Sequence, residues 1–415
     1  MYQSLILSLA DGQILRCVIP SQVPPGELKI NAAIATEHCT LEQAAVNINT
    51  WQVVQEPAKP ISPAAIAVNT TPPRQEHEAD SAQKTRILIF NDDPHIGGVA
   101  RHTHSLLMGL SSDHRLMHVC SDTEPSNTLD SETGAGIEHH WVFYDMSAEF
   151  ERTLSDEGPG REAIAAFCPD LVIFNDCCPV SHLAAKVVVH ELGIPYICVE
   201  HFVAEYLAER FSDRLPIIGE IYDKAKDVIA VSQTSLERLR THFRLPSHKG
   251  RVILNGVGDE FFAPCNQETR QRLRESIGVP PSQILCFTAA QLTEVKGYQY
   301  QIEAYAKIPS LIRRNISFAW AGQGNHRAEL QFLLDQNQFF KDQSGFHFLG
   351  QVDNVHEWLD AADLFVLPSS DEGMPIALLE AMAKGLPAIA NADAGGVNEI
   401  CSSGLALVSH HGGEI

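Results

Sequence analysis

Glu372 and Glu380 frame a stretch from Ser369 to Pro387 that reads as a polar loop running into an amphipathic helix. Pro375 suits the first helical turn, where a missing N–H costs nothing, and Gly385 with Pro387 marks the stop. The start of such a helix carries unpaired N–H groups and a partial positive charge, the two things an anionic phosphate needs. Glu380 lies along the helix and Glu372 in the loop before it. Both are carboxylates that accept hydroxyl hydrogen bonds while ionised, so neither needs to act as a nucleophile. One helix start thus offers a seat for a diphosphate between two acceptors for polyhydroxylated groups, an arrangement that suits a nucleotide-sugar. The spacing alone also describes an ordinary solvated helix, so the rest of the chain has to decide.

Other residues could join that chemistry. His201, in Val199-Glu200-His201-Phe202, sits just past a predicted strand end, where an imidazole can hydrogen-bond a sugar or position an acceptor. Glu200 beside it is a weaker candidate. Gly97-Gly98 lets the backbone approach a ligand and leaves helix N–H groups exposed; a plain strand-to-helix turn is the simpler reading of the same pair. Asp92-Asp93 reads as a pair of turn residues rather than a metal site. Arg238, Arg240, Arg244, Lys249 and Arg251 form a basic stretch around a predicted helix from Ser235 to Phe243. A membrane surface or an anionic acceptor would fit it, and a solvated helix face explains it more simply.

The elements that must position these residues alternate. Gln3–Leu9 and Gln13–Ile19 are β-prone runs around Ala10-Asp11-Gly12, a hairpin signal. Thr40-Leu41-Glu42-Gln43 looks like a capping box opening a helix toward Thr50-Trp51. From Glu56 to Lys84 the composition turns to Pro, Ala, Thr and charged residues, as in a linker whose tip is disordered. Arg86–Phe90 then begins a doubly wound pattern, with a helix from Val99 to about Leu110 and strands at Met117–Cys120, Leu171–Phe174, Tyr196–Val199, Val228–Val231 and Val252–Leu254. A second series covers Ile284–Thr288, Ile316–Ala319, Phe346–Leu349, Leu364–Leu367, Ala388–Ala390 and Leu405–Val408. Short strands alternating with helices imply parallel sheets covered on both faces, and two series imply two Rossmann-like domains. The expected organisation is a small α+β unit over 1–55, a flexible linker over 56–84, and Rossmann-like domains over 85–263 and 264–415. Ligands of such sheets bind beyond the carboxyl ends of the strands, so two facing sheets share a cleft.

A chain of 415 residues has room for two or three cores. Its 44% apolar and 20% charged residues are those of a globular protein, without a run able to span a bilayer. The net charge of −22 argues against nucleic acid as a partner, so an anionic substrate has to be captured by local cations. Ten scattered cysteines without metal-type C-x-x-C pairs read as reduced residues of a cytoplasmic protein. Met1–Cys17 lacks the basic leader and small-residue cleavage site of a secretory signal.

The run from about Arg86 to Ile415 resembles the large retaining glycosyltransferase family four. Glu372 and Glu380, with seven residues between them, match its E-x7-E motif, and further landmarks follow its order: Gly97-Gly98, Asn255-Gly256-Val257, Lys296-Gly297, Gly322-Gln323-Gly324 and Gly395-Gly396-Val397-Asn398-Glu399. The resemblance implies a GT-B fold with the acceptor mainly on the first domain and the nucleotide-sugar on the second. By the same resemblance Lys296 holds the diphosphate, Glu380 the ribose hydroxyls and Glu372 the donor sugar. Gly373, Met374, Pro375 and Ile376 line the sugar and phosphate pocket, and His201 lies close to the donor sugar. Gln291 stands where the family usually carries an arginine, and an amide donates hydrogen bonds without charge or the rigid guanidinium fork. The implied activity is hexosyl transfer to a hydroxyl of a glycan, lipid or small molecule, with retention and no covalent enzyme intermediate, and no metal or cofactor. The family usually continues beyond Ile415, so the second domain is expected to be incomplete. A nucleotide-sugar or glycan-binding protein without turnover is one alternative, motivated by Gln291. Another GT-B enzyme, such as a sugar-nucleotide epimerase, is the other. The expected location is the cytoplasm, with peripheral contact at the inner membrane face allowed by the basic stretch.

Overall fold

A computed structural model describes residues 2–9, 14–20, 48–54, 84–92, 97–121, 127–142, 144, 146, 149–336, 345–401 and 406–409. The chain divides into two units, one of Met1–Gln83 with Ser402–Leu407, the other of Lys84–Cys401 with Val408–Ile415. In the first unit β1 (Tyr2–Leu9), β2 (Ile14–Pro20) and β3 (Ile48–Val54) form an antiparallel sheet in the order β2-β1-β3. The expected hairpin is there, with Ser8 opposite Ile14. The helix expected to run toward Thr50-Trp51 does not reach that end, because β3 occupies it. Ile48, Thr50, Trp51, Val53 and Val54 are β-branched or aromatic, and such side chains favour a pleated strand over a helix. The capping box at Thr40 and the expected linker before Lys84 lie outside the described residues.

The second unit holds two parallel sheets. The first comprises β4 (Arg86–Phe90), β5 (Arg115–Ser121), β6 (Glu138–Val142), β7 (Leu171–Asp176), β8 (Tyr196–Glu200), β9 (Asp227–Ala230) and β10 (Arg251–Val252), in the order β10-β9-β8-β7-β4-β5-β6. The other comprises β11 (Ile284–Ala289), β12 (Ile316–Ala321), β13 (Phe346–Gly350), β14 (Leu364–Leu367), β15 (Ala388–Asn391) and β16 (Ala406–Ser409), in the order β13-β12-β11-β14-β15-β16. The helices that bear on function are α1 (Gly98–Leu110), α2 (Asn127–Gly134), α3 (Leu183–Glu191), α4 (Gln233–His242), α5 (Tyr298–Lys307), α6 (Ile376–Ala383) and α7 (Val397–Cys401).

The sheets are held by burial of the apolar runs that form them: Leu88, Phe90, Val119 and Phe174 in one, Phe287, Trp320 and Phe365 in the other. Each large side chain removed from water contributes about 1.5–3 kcal/mol before entropy is counted. Two details depart from expectation. The edge strand β6, Glu-His-His-Trp-Val, has no apolar run to announce it. The last strand of the first series ends at Val252 rather than Leu254, and Ile253 and Leu254 are exposed.

In each sheet the strand order reverses beside one strand, between β4 and β7 in the first and between β11 and β14 in the second. Crevices at such switch points are where open α/β sheets bind ligands. Every candidate residue of the cleft lies on a loop or helix start leaving those strands or their neighbour β8.

Candidate active site

Two helix starts meet in this unit. Gly97 caps α1 in extended backbone, and Gly98 opens the helix. A Cβ built on Gly98 would lie 3.8 Å from Ile376 Cδ1, the first residue of α6. Pro375 is the N-cap of α6, and its carbonyl accepts from Leu378 N at 3.1 Å, so the N–H groups of Ile376 and Ala377 precede the first intrahelical bond. At the other end Gly385, at φ +74°, donates to Met382 O, and Leu386 N donates to Ala381 O. This is the paired bonding that ends a helix with a left-handed glycine. Apposed helix starts sum their partial positive charges at one place.

The two glutamates of the motif are both buried, and each holds a cation. Glu372 Oε1 accepts from Lys296 Nζ at 2.7 Å. Glu380 Oε1 accepts from Arg101 Nη1 at 2.6 Å, a pair that joins α6 to α1. Burial raises the Glu380 carboxyl above its usual pKa, and Arg101 works in the opposite direction. No sequence motif marks Arg101. Its signal was a cation three residues after Gly98, on the first turn of the same helix.

His201 follows β8 and is buried. Its Nε2 lies 3.1 Å from Asn175 Oδ1; Asn175 Nδ2 donates to Thr103 Oγ1 at 2.7 Å, and Thr103 Oγ1 donates to Val99 O at 2.9 Å. This direction of donors leaves Asn175 Oδ1 to accept, which places the His201 proton on Nε2 and the lone pair on Nδ1. Burial, with the His102 ring 4.6 Å away, holds the His201 pKa well below the ordinary value, so the ring is neutral. Behind it lies a closed set of charges: Lys186 Nζ is 2.8 Å from Asp176 Oδ2 and 3.5 Å from Glu200 Oε1, and Tyr222 OH donates to Glu200 at 2.9 Å. Glu200, a weaker candidate in the sequence, belongs to this buried set.

The loop that carries Glu372 is clamped on several sides. A Cβ on Gly373 would collide with the carbonyl oxygen of His201, and one on Gly396 would collide with the carbonyl of Gly373. Only glycine permits these backbone approaches. Gly396 N donates to Glu372 O at 3.1 Å, and Asn255 Nδ2 donates to the carbonyl of buried Met374 at 3.0 Å. Glu399 on α7 accepts from Gln233 N and Thr234 N at 2.8 Å, capping α4 from across the cleft. Arg238 on α4 donates to Asp371 at 2.8 Å and to Val203 O at 3.0 Å.

His201, Lys296, Glu372, Gly373, Met374, Pro375, Ile376, Glu380 and Gly98 are therefore brought to one cleft by contacts between them or their immediate neighbours. Gln291 stands on the loop after β11 and is exposed. The basic stretch is largely engaged within the protein: besides Arg238, Lys249 donates to Ala225 O at 2.7 Å and Arg251 pairs with Asp227 at 2.6 Å. Asp92, expected to be a turn residue, is instead buried and accepts from Cys177 N, 85 residues away in the chain, at 2.8 Å, while Asp93 lies outside the described residues. Among the described residues no helix is long and apolar enough to cross a membrane.

Comparison with known proteins agrees with this geometry. Residues 96–261 match the family described as Glycosyltransferase Family 4, and residues 269–410 match the one described as Glycosyl transferases group 1. An uncharacterized glycosyltransferase of Methanocaldococcus jannaschii is 35% identical over 176 residues, which are 42% of this chain and 44% of that protein. The putative teichuronic acid biosynthesis glycosyltransferase TuaC of Bacillus subtilis is 30% identical over 235 residues, 56% of this chain and 55% of its own length. The chain thus spans about half the length of the curated relatives it matches. The Anabaena protein HepE, solved with UDP and glucose, shares the fold at a TM-score of 0.64 and 18% identity, over 79% of this chain and 86% of that one. With both of its parallel sheets matched in this way, the chain belongs to the glycosyltransferase family 4 and group 1 proteins and has their GT-B fold.

Proposed function

We propose that the chain is a retaining hexosyltransferase that moves a sugar from a nucleoside diphosphate sugar to a hydroxyl acceptor. The observation that carries this reading is the meeting of two helix starts with two cation–carboxylate pairs, Lys296–Glu372 and Arg101–Glu380. On a chain of net charge −22, these are cations that a diphosphate can recruit. The donor's phosphate oxygens take the helix N–H groups and Lys296, which exchanges a carboxylate for a phosphate. Glu372 and Glu380 then turn their lone pairs to hydroxyls, Glu380 to the ribose and Glu372 to the sugar.

In the transfer the bond from the anomeric carbon to the phosphate oxygen breaks, and its electron pair leaves with the diphosphate. The acceptor oxygen bonds to the anomeric carbon on the same face, and its proton passes to the departing phosphate oxygen. Negative charge grows on the leaving group, where one preorganised donor is worth roughly 2.7–4 kcal/mol. Neutral His201, held in one tautomer through Asn175, offers a lone pair on Nδ1 for a sugar or acceptor hydroxyl. The reading assigns residues 264–415 to the donor and 85–263 to the acceptor. No cofactor takes part in it.

UDP-glucose is the first donor to test, because HepE was solved with it. The acceptor is a hydroxyl of a glycan, lipid or small molecule, and relatives named for teichuronic acid and O-antigen biosynthesis favour a glycan. The reading takes the chain as a cytoplasmic enzyme, from its scattered cysteines without metal-type pairs. A second reading, donor binding without turnover, is favoured by the exposed, uncharged Gln291. Calorimetry with UDP-, GDP-, ADP- and dTDP-sugars, followed by an assay of nucleotide diphosphate release, separates the two. Binding lost in Glu380→Ala together with release by the unaltered chain supports the transferase. Binding without release favours the second reading, and no binding of any donor removes the proposed site.

A further inference from the structure

Away from the paired charges of the cleft, one buried carboxylate is surrounded by imidazoles. Glu132 on α2 is 1% exposed, and its ion-pair partners among the described residues are all histidines. Oε2 lies 3.0 Å from His118 Nδ1 on β5 and 3.0 Å from His139 Nε2 on β6; Oε1 lies 3.0 Å from His104 Nδ1 on α1. Glu132 sits away from solvent, with ring nitrogens facing both of its oxygens. A buried anion needs a compensating positive charge.

The other cluster of similar make-up shows how that charge is otherwise supplied. Asp92, Asp176 and His182 also converge, but there the Lys186 ammonium sits 2.8 Å from Asp176 and fills the cation's place. Around Glu132 the facing groups are ring nitrogens, each of which can give up a proton and present a lone pair. The ligand atoms of His118, Glu132 and His139 all lie within 4.8 Å of one another. Zinc–nitrogen and zinc–oxygen bonds of about 2.0–2.2 Å set tetrahedral edges of roughly 3.3 Å, a few tenths beyond the hydrogen-bonded spacing. The His139 ring is held against Trp141, with centroids 5.7 Å apart, and His104, at 27% exposure, leaves a way in from solvent. His118 Nε2 has no partner among the described residues.

We propose that His118, His139 and Glu132 bind one divalent transition metal ion of the zinc type, with His104 holding the other carboxylate oxygen of Glu132 in place. Two imidazoles and one carboxylate are a borderline donor set that suits such an ion, and His104 orients the carboxylate from behind. It would tie α2 to β5 and β6, and His104 links Glu132 to α1, the helix whose first turn carries Gly98 and Arg101 in the cleft.

The test uses the untagged full chain, stripped with chelator and titrated with cobalt(II), then zinc(II). One cobalt per chain is expected, with visible d–d bands of a tetrahedral site, no thiolate charge-transfer band, and displacement by zinc. His104→Ala, at a partly exposed position that disturbs packing little, should weaken binding at least tenfold with unchanged circular dichroism. His139→Ala should abolish the bands, and zinc should raise the thermal midpoint of the unaltered chain but not of this variant. Absence of cobalt bands at one equivalent, a thiolate band, or equal affinity in the unaltered chain and both variants overturns the proposal. None of these readouts depends on a donor sugar, so the result stands apart from that of the transferase assay.

Discussion

On the first sheet's side of the cleft, Asp176, Lys186, Glu200 and Tyr222 close on one another at 0–1% exposure. Where the two sides meet, Lys296 and Glu372 are 2.7 Å apart with the lysine 23% exposed, and Glu380 of α6 is paired with Arg101 of α1 at 28% exposure. Both regions hold opposite charges in contact, but only the second has cations that solvent, and hence a ligand, can reach. In the closed set every displacement strands a charge in a low dielectric. In the open pairs a diphosphate can replace a carboxylate with little loss. The difference separates charges that hold the scaffold from charges within reach of a ligand, and it gives the proposed diphosphate cations to bind on an overall acidic protein.

The largest effect is expected where the closed set is broken. Lys186→Met leaves Asp176 and Glu200 buried without their cation and should cost about 3–5 kcal/mol in urea unfolding. A cost near zero would mean that the two regions do not differ in kind. Lys296→Ala should do the reverse, lowering nucleotide release by roughly 10²–10³-fold while moving stability by no more than about 1 kcal/mol. An equal loss of both would place Lys296 with the scaffold.

Gly373→Ala probes the seam between the regions. Its Cβ would meet the His201 carbonyl, so about 1–3 kcal/mol of destabilisation is expected, together with weaker donor binding. The smallest effect is a shift in pH dependence. Burial raises Glu380 in the folded state, so its contribution to stability is complete below its unfolded pKa and is lost as pH rises through the higher folded value. Donor binding needs the ionised form and should therefore weaken on acidification at a pH above the ordinary carboxylate range. Arg101→Gln removes the opposing influence and should move that fall to higher pH, seen by calorimetry across a pH series; no movement would deny that the pair controls Glu380.

Much of the fold was legible because its strands are apolar runs: Arg86–Phe90, Leu171–Phe174 and Ile284–Thr288 appear in the structure within two residues of their expected ends. β6 was not, because an edge strand with two adjacent histidines has no apolar alternation to read. β3 was mistaken for the far end of a helix because a capping signal at Thr40 outweighed the β-branched residues after Ile48. In the site, Lys296, Glu372 and Glu380 stood out by motif, whereas Asn175 and Arg238 carry no motif. They matter through partners 72 and 133 residues distant in the chain, Thr103 and Asp371.

The sequence by itself determined the alternation of strand and helix, the punctuation of α6 by Pro375 and Gly385, and the family motif, since each depends on neighbours a few residues apart. Tertiary structure alone decided which cation faces which carboxylate, that His201 is buried with one tautomer imposed by Asn175, and that three histidines from three elements surround Glu132. Those outcomes depend on how strands order themselves within a sheet and which loops meet at its carboxyl edge. That order comes from packing between distant segments, which no local spacing records.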